Sequence, residues 1–291
     1  MANLKEIRNR IGSVQSTKQV TSAMKMVSAA KLRKATDAII KMRPYANKMH
    51  EILSHVSESV DLEGNPYQAK REVNKVLIFV VASNRGLCGA FNSNAVKFAL
   101  KVAEENYSEQ LARGTVVFVP IGKKAMDILK SRNVVSVDEK LSGLFDNLVF
   151  ENVAKTAEKY MKEFVDGKYD RIDFVYNQFK NAASQLLIHE QFLPIKIDKS
   201  ASEFHADYIF EPSMEEIAET LIPRSLKIQF FKVLRDSFAS EQGARMTAMH
   251  QATDNATELL KQLKLTYNKA RQASITTEIL EIVSGAEALK G

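Results

Sequence analysis

Two stretches of helical periodicity stand at the ends of this 291-residue chain, and their length limits what it can fold into. From Ala2 to about Ser59 the sole glycine is Gly12 and the sole proline Pro44. Leu4, Ile7, Ile11 and Val14 step by three, four and three, the seam spacing of a coiled coil. The pattern thins over Gln15 to Lys18 and is expected to resume at Val20, Met24 and Val27, then at Met42, Met49, Leu53 and Val56. Pro44 bends this helix if the helix runs through it, because an interior proline removes a backbone hydrogen bond. At the other end Pro212 opens a second helical stretch reaching nearly to Gly291, with Pro223 either kinking it or starting a fresh helix. Ala256, Leu260, Leu263, Tyr267 and Ala270 step by four and three there, and Ile275, Ile279, Ile282, Ala286 and Leu289 do so again. The five-residue step from Ala270 to Ile275 is expected to shift the seam around the helix.

At about 1.5 Å per residue the first stretch spans roughly 85 Å and the second roughly 115 Å. A compact globule of this length has a radius of gyration of only about 19 Å. Such helices do not fold inside a sphere, so the expected arrangement is an antiparallel two-helix coil projecting from a globular body. The C-terminal helix is longer by about 20 residues, and its last ~30 Å would extend alone.

Between the helices the pattern changes. Residues 61 to 72 carry the glycine, asparagine and proline of a connection. Val73 to Ala82 reads as a strand buried on both faces, Ala90 to Asn106 as a helix, Thr115 to Pro120 as a second strand and Lys123 to Ser131 as a helix. A weaker strand near Val134 to Val137, a helix from about Asp146 to Val165, and strands at Ile172 to Tyr176, Gln185 to Phe192 and Tyr208 to Phe210 follow. Strands alternating with helices predict a largely parallel sheet covered on both faces. The fold class is therefore α/β: two long terminal helices, 1–60 and 211–291, in an antiparallel coiled coil, with a Rossmann-like sheet domain inserted at 73–210.

Composition excludes several classes. At 45% apolar and 26% charged the chain is not of the hydrophobe-poor kind that stays disordered. Its longest apolar run, Val76 to Ala82, has seven residues, far below the roughly 18 of a membrane-spanning helix. The start, MANLKEIRNR, has no apolar core behind its basic residues, so no secretory signal is expected. A single cysteine, Cys88, forms neither an internal disulfide nor a cysteine-based zinc site and fits a reducing compartment. The net charge of +6 is concentrated: residues 1 to 50 hold eleven basic side chains against two acidic, leaving 30 against 33 elsewhere.

The sharpest local motif is SNRGLCGAFN, residues 83–92, directly after the first strand. A glycine loop between strand and helix is where phosphate sites form, since amides and the helix dipole face an anion there. Gly86 and Gly89 do not make G-x-G-x-x-G, however, and no lysine follows a glycine as in the nucleotide-triphosphate loop. A phosphatase-like use of Cys88 would want an arginine six positions on, where Asn94 stands. A tight structural turn or a docking surface is the expectation. The histidines 50, 55, 189, 205 and 250 make no metal pattern; His50 and His55, five apart, do not share a helix face. Glu215 and Glu216 suit the positive end of the C-terminal helix rather than acid catalysis. The basic N-terminal helix lacks interleaved aromatics and reads better as a cationic arm facing acidic protein walls than as a nucleic-acid binder.

LKEIRNRIGSVQSTKQVTSAMKMVSAAKLRKA, SNRGLCGAFN, ASEQGARMTAMHQATDNA and YNKARQASITTEILEIVSGAEAL together resemble the gamma-subunit family of F-type ATP synthases. The resemblance covers both terminal helices and the start of the sheet domain; residues 100 to 205 match in pattern and length. It implies a non-catalytic rotor without cofactor or metal, whose helices form a shaft inside a ring of alpha and beta subunits. The globular domain would sit against the epsilon subunit and the c-ring, on the cytoplasmic face of a bacterial inner membrane and peripheral to it. Absence of a transit peptide, and of the inserted cysteine pair of chloroplast members, fits a bacterial type without thiol regulation. By matching motif, Met24, Lys25, Arg271, Gln272, Thr276 and Glu281 would meet partner subunits. Two other classes remain as alternatives: a nucleotide-binding enzyme with helical arms, which binding of nucleotide by the isolated chain would favour, and a coiled-coil nucleic-acid scaffold, which salt-steep binding to duplex DNA would favour.

Overall fold

The computed structural model describes residues 4–59, 65–69, 71–134, 141–182, 184–195 and 214–288. In chain order the elements are α1 Leu4–Ser59, β1 Val76–Val81, α2 Phe91–Asn106, α3 Ser108–Ala112, β2 Val116–Ile121, α4 Lys123–Ser131, a 3-10 turn Leu141–Phe145, α5 Phe150–Val165, β3 Arg171–Phe179, β4 Gln185–Leu193 and α6 Met214–Ala288. Pro44 lies inside α1 and Pro223 inside α6, so each long helix is one element and Pro223 starts no new one. The expected strand at Val134–Val137 runs into residues outside those described, and that at Tyr208–Phe210 lies wholly outside them. Contacts divide the chain into two compact units, Ala29–Arg245 and Met1–Ser28 with Met246–Gly291.

In the first unit four strands run in the order β2-β1-β3-β4. β1 pairs in parallel with β2 and β3, while β3 and β4 pair antiparallel, so the largely parallel sheet carries one reversed edge. That reversal follows from chain length. Five residues separate β3 from β4, enough for a hairpin and too few for a parallel crossover, which needs a dozen or more.

β1 reads VLIFVV without alternation because both of its faces are covered. Leu77, Phe79 and Val81 pack with α5 (Ala157, Phe164) and with α6 (Phe230, Val233), whereas Val76, Ile78 and Val80 pack with α2 (Val96, Ala99) and α4 (Ala125, Leu129). Phe79 lies 5.1 Å from both Phe174 and Phe230, centroid to centroid, and Phe174 lies 5.0 Å from Phe192. The stretch of α6 from Ile222 to Leu234 is thus built into the core of the sheet.

The second unit is an antiparallel helix pair. Thr21 meets Thr253 and Lys25 meets His250, so position rises on α1 as it falls on α6. The less exposed positions on α1 include a three-four alternation, 4, 7, 11, 14, 18, 21, 25 and 28, with Ser22 and Met24 half-buried at its flanks. On α6 they are 249, 253, 256, 260, 263, 267, 270 and 274. Continued from Thr21–Thr253, this register sets Val14 level with Leu260 and Ile7 with Tyr267. Two expectations fail here. The seam does not shift to Val20 and Val27, which are 57% and 55% exposed; its most buried positions stay in phase at Thr21 and Ser28, with Met24 and Lys25 both half-buried between them. Nor does it move to Ile275: it steps by four from Ala270 to Ser274 and ends, and residues 275–288 are all exposed.

Candidate functional site

In a sheet ordered β2-β1-β3 the chain reverses direction at β1, and the crevice outside the carboxyl ends of β1 and β3 is where α/β folds bind nucleotides. The SNRGLCGAFN loop lies there, and its polar groups are spent internally. The Ser83 backbone N–H donates to Asn92 Oδ1 at 2.9 Å, and Asn92 Nδ2 donates to the Cys88 sulfur at 3.2 Å. Asn84 Nδ2 donates to the Ser142 carbonyl at 2.8 Å, and its Oδ1 accepts from the Lys123 amide at 3.2 Å. Burial pushes the Cys88 thiol above its usual pKa, which keeps it protonated and poorly nucleophilic at neutral pH.

The crevice itself is filled by α6. A Cβ on Gly243 would lie 3.0 Å from the Ala182 carbonyl oxygen, so helix and the β3–β4 turn touch backbone to backbone. Two residues on, Arg245 Nη2 donates to the carbonyls of Arg85 at 3.1 Å and Gly86 at 3.3 Å, and Nη1 donates to Glu241 Oε1 at 2.6 Å. Both charged side chains are buried; burial raises the Glu241 pKa, and Arg245 acts against that rise. A nucleotide phosphate would need loop amides facing outward. This loop instead turns carbonyls onto a buried guanidinium, a positive group already neutralised by its own carboxylate. The arrangement fixes the shape of the loop. What the loop shows to solvent is Arg85, Leu87, Gly89 and Ala90, with Leu87 at φ 64° and 62% exposed.

The buried carboxylate of Asp173 on β3 is the other polar centre of this unit. Tyr107 donates its hydroxyl to Asp173 Oδ2, His189 Nε2 lies 2.7 Å from the same oxygen, and Arg171 Nε donates to Oδ1 at 3.2 Å. Burial, then the Asp173 charge, raises the Tyr107 pKa. These groups satisfy one another inside the α2-side core. His189 is therefore locally satisfied, as expected. The side chains of His50, His55, Glu215 and Glu216, and all of His205, lie outside the described residues.

The six motif-matched residues fall in two groups on the helix pair. Met24 and Lys25 are half-buried neighbours on α1, Lys25 Nζ lying 3.3 Å from His250 Nδ1. Arg271, Gln272, Thr276 and Glu281 are exposed on α6, where the Thr276 hydroxyl donates to the Gln272 carbonyl at 2.9 Å. Around them Ile275, Ile279, Leu280, Ile282 and Val283 are also exposed. In the observed register Met24 is level with residue 250, so the groups stand roughly 30 Å apart along the pair. The structure does not gather them into one site. Sequence reasoning missed Arg245, Thr21 and Thr253, whose contacts lie more than 150 residues away, and Glu241, whose burial follows from its pairing with Arg245.

Among the described residues no group of three or more histidine, cysteine, aspartate or glutamate side chains is placed to hold a metal, and no helix is long and apolar enough to cross a membrane. The family model described as ATP synthase matches residues 3–289. The chain is 60% identical to the ATP synthase gamma chain of Flavobacterium psychrophilum over 295 residues, covering 100% of each, and 46% identical to that of Chlorobium phaeobacteroides, again covering 100% of each. It resembles a chain of the central stalk and c-ring structure of Tetrahymena thermophila mitochondrial ATP synthase, with 26% identity, a TM-score of 0.56, and coverage of 80% of this chain and 99% of that one. Its fold is also like that of a chain in the Euglena gracilis mitochondrial ATP synthase, with 22% identity, a TM-score of 0.67, and coverage of 98% and 94%.

Proposed function

Since the chain belongs to the ATP synthase gamma-chain family, we propose that these two residue groups, one half-buried and one exposed, are the contacts through which a central-stalk rotor works on the catalytic head. The chain is a non-catalytic subunit: it couples ion transport to ATP synthesis and hydrolysis, and the chemistry takes place at the beta subunits. In this reading 1–60 and 211–291 supply the shaft, with Met24 and Lys25 at one level and Arg271, Gln272, Thr276 and Glu281 at the other, facing the alpha and beta subunits. The 73–210 body faces the epsilon subunit and the c-ring, and the assembly lies peripherally on the cytoplasmic face of a bacterial inner membrane.

One observation carries the reading. The last turns of α6, residues 275–288, are exposed throughout and rich in isoleucine, leucine and valine, an apolar surface that a soluble helix covers with a partner. An apolar sleeve alone would hold every rotor angle equally. Directional hydrogen bonds to a charged group, worth about 1.5 to 3 kcal/mol each, distinguish the angles. Arg271, with a planar fork of donors, and Gln272, with both donors and acceptors, stand at the base of that surface. Arg271→Ala with Gln272→Ala is expected to leave this chain folded and to lower ATP turnover or subunit recovery of the assembled complex about tenfold or more. Lys123→Ala with Lys124→Ala, on the exposed start of α4, should change either by less than about twofold. Equal behaviour of the two variants would show the tip residues to be ordinary solvated positions.

A further inference from the structure

Val20, Met24 and Val27 step by four and three and share one face of α1, one position round from the seam that Thr21, Lys25 and Ser28 occupy. Hydrophobic burial by itself would roll α1 by about 100° over these turns and carry the apolar face inward. The observed phase is the opposite: Thr21 is 9% and Ser28 2% exposed. Ile7, Ile11 and Val14 hold the preceding turns in that phase, but from Lys18 to Ser28 the most buried α1 positions are Thr21 and Ser28, with Met24 only half-buried at their flank.

What the seam offers at this level is a pair of hydroxyls, Thr21 Oγ1 and Thr253 Oγ1, 2.9 Å apart. Each also has a carbonyl of its own helix in reach, Lys18 at 3.1 Å from Thr21 and Met249 at 2.7 Å from Thr253. A hydroxyl carries one proton, so two chains of donation are open: Thr253 to Thr21 to the Lys18 carbonyl, or Thr21 to Thr253 to the Met249 carbonyl. The bond between the helices survives both. Polar pairs in coiled-coil seams fix pairing geometry at some cost in stability.

We propose that Thr21 and Thr253 are positioning residues, a phase lock that sets the rotation of α1 about its own axis in the seam. The lock holds Met24 and Lys25 at the flank and keeps Val20 and Val27 turned outward. A roll by one position would turn Met24 into the seam and swing Lys25 away from His250, exchanging which of the two neighbours is presented. That Met24 and Lys25 meet partner subunits rests on the function proposed above; the phase of the helix does not.

The test uses the full chain with Cys88→Ser and one introduced cysteine, either Ser28→Cys in the seam or Thr17→Cys on the face of Val20 and Met24. In the parent, maleimide labels position 17 fast and position 28 slowly. Adding Thr21→Ala with Thr253→Ala removes both hydroxyls while keeping good helix formers. Labelling at 28 should then rise, and at 17 fall, each by about tenfold, whereas Thr21→Ser with Thr253→Ser should restore the parent rates. Unchanged rates in the alanine pair overturn the lock. A rise at both positions also overturns it, because that is melting of the pair and not a roll. Turnover of the assembled complex, measured for Met24→Ala with Lys25→Ala, tests those partner contacts separately.

Discussion

Arg245→Met removes the group that ties α6 to the loop after β1 while keeping the apolar stem and much of the volume. Glu241, 7% exposed, then loses its partner at 2.6 Å, and the Arg85 and Gly86 carbonyls lose their donor. Breaking one side of a buried ion pair costs about 3 to 5 kcal/mol, because an uncompensated charge is left inside. For a cooperative body of 150–250 residues each kcal/mol is about 2 to 4 °C, so the midpoint of thermal unfolding should fall by about 6 to 20 °C near pH 7.5. The loss should depend on pH with a fixed sign. Burial raises the folded-state pKa of Glu241 above that of a free glutamate, and the Arg245 charge is the main influence opposing that rise, so the variant raises it further. An acid whose pKa is higher folded than unfolded binds more protons in the folded state, so stability falls as pH rises from the unfolded pKa through the folded one. The variant should therefore recover part of its loss near pH 5. Glu241→Gln in the same chain removes the stranded charge and should restore more than half of the loss near pH 7.5. Calorimetry of the four chains of this cycle decides the matter. A single variant within about 2 °C of the parent, or a double variant that loses the sum of the singles, refutes the account of the buried pair.

Two further outcomes are expected. Gly122→Ala should lower the unfolding midpoint by at least about 5 °C, because Gly122 has φ 112° and its added Cβ would lie 2.2 Å from the Ala82 carbonyl at the end of β1; thermal circular dichroism within about 2 °C of the parent would contradict the clash. In the isolated chain, amide hydrogen exchange at 275–288 should be at least about a hundredfold faster than at Val76–Val81, since the former turns bury nothing and the strand is enclosed on both faces; comparable protection would mean that the C-terminal turns find a partner within the chain.

The sequence was most legible where one physical effect dominates. Continuous VLIFVV and VVFVPI runs mark strands enclosed on both faces; the observed β2 lies within about a residue of its expected bounds, while β1 ends within a residue of expectation and starts three residues later. The reversed edge strand was less legible, because QLLIHEQFL by itself does not state its direction; the short connection from β3 does. The seam was misread for a different reason. Counting hydrophobes follows transfer free energy, which favours Val20, Met24 and Val27, whereas the helix keeps the phase of its flanking turns and fills it with threonine, lysine and serine. Met24 and Lys25 were legible only by motif, since nothing in their spacing sets them apart. Arg245 and Glu241 are four apart on α6 like many exposed pairs, and only the arrival of the Arg85 and Gly86 carbonyls from 160 and 159 residues away makes theirs a buried one.

Cys88 turns the fold into its own clock. Its sulfur is enclosed, accepts a hydrogen bond from Asn92 and belongs to a thiol that burial keeps protonated, so a thiol reagent reaches it only during moments when the loop stands open. With reagent slow relative to reclosing, the rate of modification reports the population of the open loop; with reagent fast, it reports how often the loop opens. A single native atom thus times, without any engineered label, the excursions of the turn that Arg245 holds shut.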